Sequence, residues 1–367
     1  MGACLWASSA SLASYADAHM ILDCQKSHVE AVFFRVERET NLCQTEVTRG
    51  HSRHSCAERG GIAMKVLVTG SSGLIGTALI PFLTSGGHSV TRLLRSPASS
   101  SKKAGSSEIV WDPTETDLPS SSLEGFDAVV HLAGENISEG RWTEAKKARI
   151  RESRTKPTRA LSDALAGLTH PPRVLVCASA IGYYGDRGEE ILREGSAPGK
   201  GYLPDVCLEW EGAAASAIRK GIRVVNLRFG VVLSATGGAL AKMLPPFRMG
   251  VGGKIGDGKQ YMSWIALDDA IGAIHHAVTN DRLTGAVNAV APNPVTNLEF
   301  TRTLGRVLSR PTLFPVPAAA ARIAFGEMAD ALLLASARVV PTRLLETGYE
   351  FRYPELDGAL RHLLGSP

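Results

Sequence analysis

The 367-residue chain has no run of about 18 uncharged apolar residues, so no transmembrane helix is expected. The nearest approach, residues 318–337, is interrupted by Arg322, Glu327 and Asp330. No surplus of one charge sign exists either: 40 Lys and Arg stand against 36 Asp and Glu, a formal net charge of +4, too small to imply a polyanion partner. Nucleic acid is therefore not an expected partner. Cysteine is scarce and lopsided, with Cys4, Cys24, Cys43 and Cys56 before residue 64 and only Cys177 and Cys207 after it. The first four are too widely spaced for a zinc pattern, no secretory signal precedes them, and no metal site is expected. Cys177 lies in an apolar run, where a buried inert thiol is the natural reading. Together these absences point to an ordinary globular protein of a reducing cytoplasm, consistent with 44% hydrophobic and 21% charged residues.

Residues 1–63 also lack something: sustained helical or strand periodicity. Met64 immediately precedes the first strand-like run, and a dinucleotide-binding domain needs nothing before its first strand. The expectation is that translation naturally starts at Met64. The alternative is a disordered regulatory or targeting arm.

What the chain does have is glycine at chosen places. Lys65-Val-Leu-Val-Thr-Gly-Ser-Ser-Gly-Leu-Ile-Gly76 reads as a buried strand, a turn of Gly70, Gly73 and Gly76, and a helix opened by Leu74 and Ile75. Backbone N–H groups and the positive end of the helix dipole then face an anion, with no side chain in the way. Flanked by strand and helix, the triplet reads as a dinucleotide fingerprint. About 20 residues on, NAD-specific sites offer Asp or Glu to the ribose. Here stand Leu93-Leu94-Arg95-Ser96, and no acid. A guanidinium can bind the extra phosphate of NADP bidentately, so Arg95 argues for NADP.

Further apolar runs recur as strands: 88–95, 109–111, 126–134, 173–179 and 221–228. They alternate with helical segments, one of them beginning near Thr143 and running to about Gly167. This pattern makes the fold α/β, a doubly wound parallel Rossmann sheet with a smaller C-terminal substrate lobe. Residues 64–233 form the nucleotide domain, 234–316 a glycine-rich substrate lobe with returning segments, and 317–367 a small C-terminal domain. The basic stretch from Lys146 to Arg154 spreads over several helix faces and reads as solvated surface. His131 reads as a packed core histidine rather than a base, while Leu132, Ala133 and Gly134 present backbone to the cofactor. Asp268 and Asp269 read as the cap of a helix over 270–278.

At these residues the chain resembles the extended short-chain dehydrogenase/reductases of the NAD(P)-dependent epimerase/dehydratase family. More narrowly it resembles the branch of nucleoside-diphosphate-sugar epimerases, also described as cell-division-inhibitor-like. The segments that carry this are 66–76, Leu132-Ala-Gly-Glu-Asn-Ile137, Arg141-Trp142, Ser153-Arg154, Trp210-Glu211, Arg228-Phe-Gly-Val-Val-Leu233, 246–253 and Ser263-Trp-Ile265. Phe325-Gly-Glu-Met-Ala-Asp330, Leu344–Phe351 and Tyr353-Pro354 match the branch's small terminal domain of unknown function. The resemblance runs from Met64 to the end and leaves residues 1–63 unmatched. It implies an NADP site with contacts at Leu94, Arg95, Leu132, Ala133, Arg149, Arg154 and Val232 beside the glycine turn.

It also implies catalysis by a serine with a Tyr-x-x-x-Lys pair, in which the lysine lowers the tyrosine's pKa. Ser179 stands in the serine position and Tyr202 follows at a suitable separation. Four residues after Tyr202, however, comes Val206. An unassisted phenol with a pKa near 10 is a poor base at neutral pH. Tyr183 and Tyr184 orient substrate or pack in a lid. The glycine-rich 234–261 stretch, with Arg248, Lys254, Lys259 and Gln260, cradles an anionic substrate group or closes over the cofactor. Where relatives carry His after Ser-Trp-Ile, this chain has Ala266. Two functions follow. The first is an NADP(H)-dependent oxidoreductase or epimerase-like enzyme acting on a small molecule, with a homodimer as its assembly. The second is an NADPH-binding sensor or regulator linked to cell division.

Overall fold

The computed structural model describes residues 63–95, 106–112 and 120–365. Residues 1–62, 96–105, 113–119 and 366–367 lie outside them, and with them the leading segment up to Ile62 and Ser96. Seven strands form one parallel sheet: β1 (Lys65–Thr69), β2 (Ser89–Leu94), β3 (Ser106–Val110), β4 (Ala128–His131), β5 (Val174–Ala180), β6 (Arg223–Phe229) and a later strand, Gly285–Ala289. Their spatial order is 3-2-1-4-5-6, with Gly285–Ala289 at the far edge beside β6. The chain reverses direction across the sheet between β1 and β4. In such sheets the crevice beyond the strand C-termini at that reversal is where ligands bind.

Sheet position follows from alternation. Val66 and Val68 of β1 face one layer and Leu67 the other, all fully buried, so both faces must be covered. On the first face lie α1 (Leu74–Ser85), through Leu79, Ile80 and Leu83, and a helix at Leu267–Thr279, through Ile271 and Ile274. On the second lie α2 (Glu144–Ala166), through Leu161 and Leu165, and the short helix Ala215–Arg219, through Ala217. The α2 start agrees with its sequence signal: the Thr143 hydroxyl accepts the Lys146 N–H at 3.2 Å. Between β5 and β6 runs α3 (Tyr202–Gly212), with Val206, Cys207 and Trp210 buried.

A third cluster gathers Leu240, Leu244 and Phe247 with Trp264, Phe300, Leu304, Leu356 and Leu360. It joins the helices Gly238–Arg248, Asn297–Val307 and Leu356–Leu364. The last 50 residues thus enter shared cores, Leu344 among them in the main sheet cluster. Two expectations change here. The third strand spans Ser106–Val110 and ends before Trp111, whose N–H instead bonds the Leu94 carbonyl. Asp269 is not a cap: the helix begins at Leu267 with Ala266 preceding it, and Asp269 is fully buried. Its carboxylate accepts the backbone N–H groups of Arg352 (2.7 Å) and Tyr353 (2.9 Å), tying the chain's last segment to this helix.

Candidate functional site

The crevice starts at the glycine turn. Gly70 has φ +66°, and a Cβ there would stand 2.5 Å from the Leu132 carbonyl carbon. The ends of β1 and β4 therefore approach so closely that only glycine fits. A Cβ on Gly76 would strike the Gly70 carbonyl oxygen, so the helix N-terminus is drawn tight against the turn. Gly73 closes the turn, its N–H bonding the Gly70 carbonyl at 3.0 Å. Within it the Ser71 hydroxyl is buried and has no hydrogen-bond partner among the described residues. A buried orphan hydroxyl at a helix N-terminus, beside backbone that no side chain shields, is the donor set a diphosphate requires.

Some of the residues expected to meet the cofactor stand together. Ile75, Leu132 and Val232 pack against one apolar cluster, and the Leu74 methyls meet Gly237 and Gly238, just beyond the strand Val231–Ser234. Leu94 is half-buried at the end of β2, and Arg95 is exposed there with no partner among the described residues. The α2 arginines play a different part. Arg154 donates to the carbonyls of Ile150 and Glu135, each at 3.0 Å, and packs beneath Gly134. Lys146 and Arg149 reach the Glu135 carboxylate at 2.8 and 3.5 Å, and Ser153 accepts the Glu135 N–H. The Lys146 ammonium bonded to Glu135 holds that carboxyl below its usual range. Helix α2 thus clamps the Ala133–Glu135 turn from below.

His131 is the core histidine expected. Its Nδ1 lies 2.7 Å from Thr69 Oγ1 and its Nε2 2.9 Å from Thr158 Oγ1. Thr158 already donates to the Arg154 carbonyl and accepts from Trp210 Nε1. Having one proton, it can only accept from His131, which fixes the Nε2–H tautomer and leaves Thr69 to donate to Nδ1. Burial lowers the imidazole pKa to about 4, so the ring is neutral at physiological pH.

Ser179, near the end of β5 and 3% exposed, donates to Glu211 of α3 at 2.7 Å. Arg228 of β6 holds that carboxylate through Nε and a terminal nitrogen, both at 2.8 Å. Its other terminal nitrogen donates to the Tyr184 hydroxyl at 3.0 Å, and its carbon stacks 3.4 Å from the Tyr183 ring centroid. Tyr184 passes the chain on to Asn288 Oδ1 at 2.7 Å. Burial pulls the Arg228 guanidinium down, but its bond and charge pairing with Glu211 more than reverse this and hold it above its ordinary range. Sequence reading missed this network. Its signal was available, because an arginine in the interior of a buried strand needs a carboxylate.

Tyr202 stands elsewhere in the hydrogen-bond pattern. Its hydroxyl donates to the Lys147 carbonyl at 2.7 Å, and its ring packs on Trp142. Burial pushes the phenol above its ordinary value, with Arg154, Arg151 and Lys147 opposing. Val206 is buried. Tyr183 and Tyr184 are bound to Arg228 rather than free in a lid. Two polar side chains of the glycine-rich stretch bond to backbone: Lys254 donates to the Asp257 carbonyl within its own loop, and Gln260 to that of Ile255 and to that of Leu333 in the last segment.

A seven-stranded doubly wound sheet with a glycine turn at its reversal point defines a Rossmann-type nucleotide-binding protein of the short-chain dehydrogenase/reductase kind. The chain belongs to the NAD dependent epimerase/dehydratase family, whose model matches residues 66–289. A domain of unknown function, DUF1731, matches residues 316–363. An epimerase family protein of Mycobacterium bovis is 41% identical over 302 residues, 82% of this chain and 98% of the relative. The human epimerase family protein SDR39U1 is 38% identical over 304 residues, 82% of this chain and the whole relative. A crystal structure of that human protein, isoform 2, with NADPH superposes with a TM-score of 0.74 at 37% identity, covering 82% of this chain and 99% of that one. MoeE5 with UDP-glucuronic acid and NAD, at 20% identity and a TM-score of 0.63, shares the fold.

Proposed function

We propose that this protein is an NADP(H)-dependent oxidoreductase or epimerase-like enzyme acting on a small molecule. The observation that carries the reading is the Ser71 hydroxyl, buried without a partner inside a turn that the close approach of β1 and β4 restricts to glycine. Ser71 and the turn's backbone N–H groups would hold the diphosphate. Arg95, exposed where NAD-binding sites carry an acid, would hold the extra phosphate. The human relative crystallised with NADPH supports the same assignment. When bound, the nicotinamide supplies hydride chemistry. Ser179, fixed by Glu211, positions the reacting group, and the clamped Ala133–Glu135 turn shapes the wall. Tyr202 is proposed as a proton donor only, because its raised pKa is the wrong direction for a base. The two buried, unpaired thiols Cys177 and Cys207 support a reducing cytoplasmic setting.

Calorimetry of the full chain with NADPH and NADH tests the cofactor. Tight binding of NADPH with a clear loss for NADH is expected, and the reverse preference would defeat the assignment. A second reading, a cofactor-binding regulator, is favoured by buried Val206 at the lysine position and by the engagement of the Tyr202 hydroxyl with backbone. Screening the loaded protein against carbonyl and sugar-nucleotide libraries separates the two. Turnover lost in Ser179→Ala supports the enzyme, and tight cofactor binding without turnover supports the regulator.

A further inference from the structure

The hydrogen bonds around Ser179 have a direction, and it runs opposite to the one a carbonyl substrate needs. Both Glu211 oxygens are engaged by the Arg228 guanidinium, Oε1 by Nε and Oε2 by a terminal nitrogen. A carboxylate held in this way has acceptor positions only. The 2.7 Å contact between Ser179 Oγ and Glu211 Oε1 therefore consumes the one proton of the serine. Two lone pairs remain on Ser179 Oγ. Turning that proton elsewhere would forfeit a charge-assisted bond to a carboxylate buried with Arg228, their side chains 14% and 4% exposed. Nothing softer is available to reorient, because Arg228 is also pinned by the Tyr184 hydroxyl and the Glu194 carbonyl.

The placement of Ser179 gives this polarity a use. Thr69, His131 and Cys177 form one row across β1, β4 and β5, and Ser179 stands two residues beyond it, toward the strand ends that border the crevice. We propose that Glu211 sets the polarity of this position, making Ser179 an acceptor, so that the substrate group it meets is a hydroxyl or other donor rather than a carbonyl oxygen. Glu211 is then a positioning residue that determines specificity through Ser179. The inference rests on the reading of the crevice as a small-molecule site, and deepens it by naming the functional group recognised. Oε1 of Glu211 accepts from both Ser179 and Arg228 Nε, so an amide oxygen in its place would keep the serine bond as it is. Removing the acceptor together with its partner, in Glu211→Leu/Arg228→Met, leaves no buried charge unpaired and frees the serine proton for a carbonyl.

The test uses the full chain saturated with NADP⁺ and two probe pairs that cannot exchange hydride with it: tert-butanol against acetone, and 1-methylcyclohexanol against cyclohexanone. Affinities are measured by ligand-detected NMR titration. In the natural chain each alcohol is expected to bind about tenfold more tightly than its ketone, the worth of one net hydrogen bond. Glu211→Leu/Arg228→Met should bring the ratio to one or below, and Ser179→Ala should abolish the preference. If the double variant unfolds, Glu211→Gln, whose oxygen still accepts from Ser179 and Arg228 Nε, should keep the alcohol preference while Ser179→Ala loses it. A ketone preference in the natural chain, a ratio unmoved by the double variant or by Ser179→Ala, or no saturable binding of either member overturns the proposal. Failure to bind NADP⁺ would instead defeat the cofactor reading. The pairs are then titrated on the bare chain, where the same alcohol preference is expected, because the Ser179–Glu211–Arg228 contacts involve no cofactor.

Discussion

The two halves of the crevice are built from different materials. The glycine-turn half is backbone: Gly70 and Gly76 exclude side chains, and its one buried hydroxyl has no partner among the described residues. The Ser179 half is side chain, with Ser179, Glu211, Arg228, Tyr184 and Asn288 joined in an unbroken run of hydrogen bonds. A backbone site stays open for an anion because nothing internal competes for its donors. A side-chain network is the reverse: each group is already committed, and what it offers a ligand is whatever its neighbours have left over. In the function proposed above, the first half recognises charge and the second selects direction.

Substitutions can break this contrast, and the largest effect is expected on the side-chain half. Arg228→Met leaves Glu211 buried without its partner and should cost about 3–5 kcal/mol of stability, read by chemical denaturation. Restoring part of that loss with Glu211→Leu in the same chain would show that the unpaired charge, not the lost packing, is responsible.

The core between the halves should respond to acid. His131 titrates near 6.5 when unfolded and near 4 when folded, so between those values the unfolded chain binds the extra proton. Stability from this residue is complete above pH 6.5 and falls as pH drops toward 4, by about 3 kcal/mol in all. Denaturation of the natural chain and His131→Gln at pH 7.5 and 4.5 isolates the contribution. A parallel fall in both would refute it.

On the backbone half, Gly70→Ala should cost on the order of 2 kcal/mol through left-handed strain and the clash with Leu132, and weaken NADPH binding as well. Unchanged affinity would remove the turn from the cofactor site. The smallest effect is expected from Tyr202→Phe, which loses one hydrogen bond to the Lys147 carbonyl, about 1 kcal/mol or less. NADPH affinity should be unchanged. Loss of turnover alone would make Tyr202 the proton donor.

The same contrast explains what the sequence revealed. The sheet, its helices and the glycine turn follow from alternation and spacing within a few residues, so β1, α1 and the core histidine were legible. The Ser179 network was not, because its bonded pairs lie 17 to 104 positions apart and exist only once β5, α3, β6 and Gly285–Ala289 are adjacent. Arg154 matched a motif and Arg149 only a register, yet neither carried a sign that Arg154 holds the Glu135 carbonyl while Arg149 reaches its carboxylate. Asp269 misled for a related reason. A carboxylate early in a helix looks like a cap, whereas here it accepts N–H groups more than 80 positions downstream.

That Asp269 tether has an architectural consequence. The two family matches, 66–289 and 316–363, divide the chain where the physics does not. With Tyr349 and Phe351 packed on the principal core and their backbone neighbours held by Asp269, the second match is a keystone of the first. A gene fragment ending near residue 290 would therefore encode an arch without its closing stone.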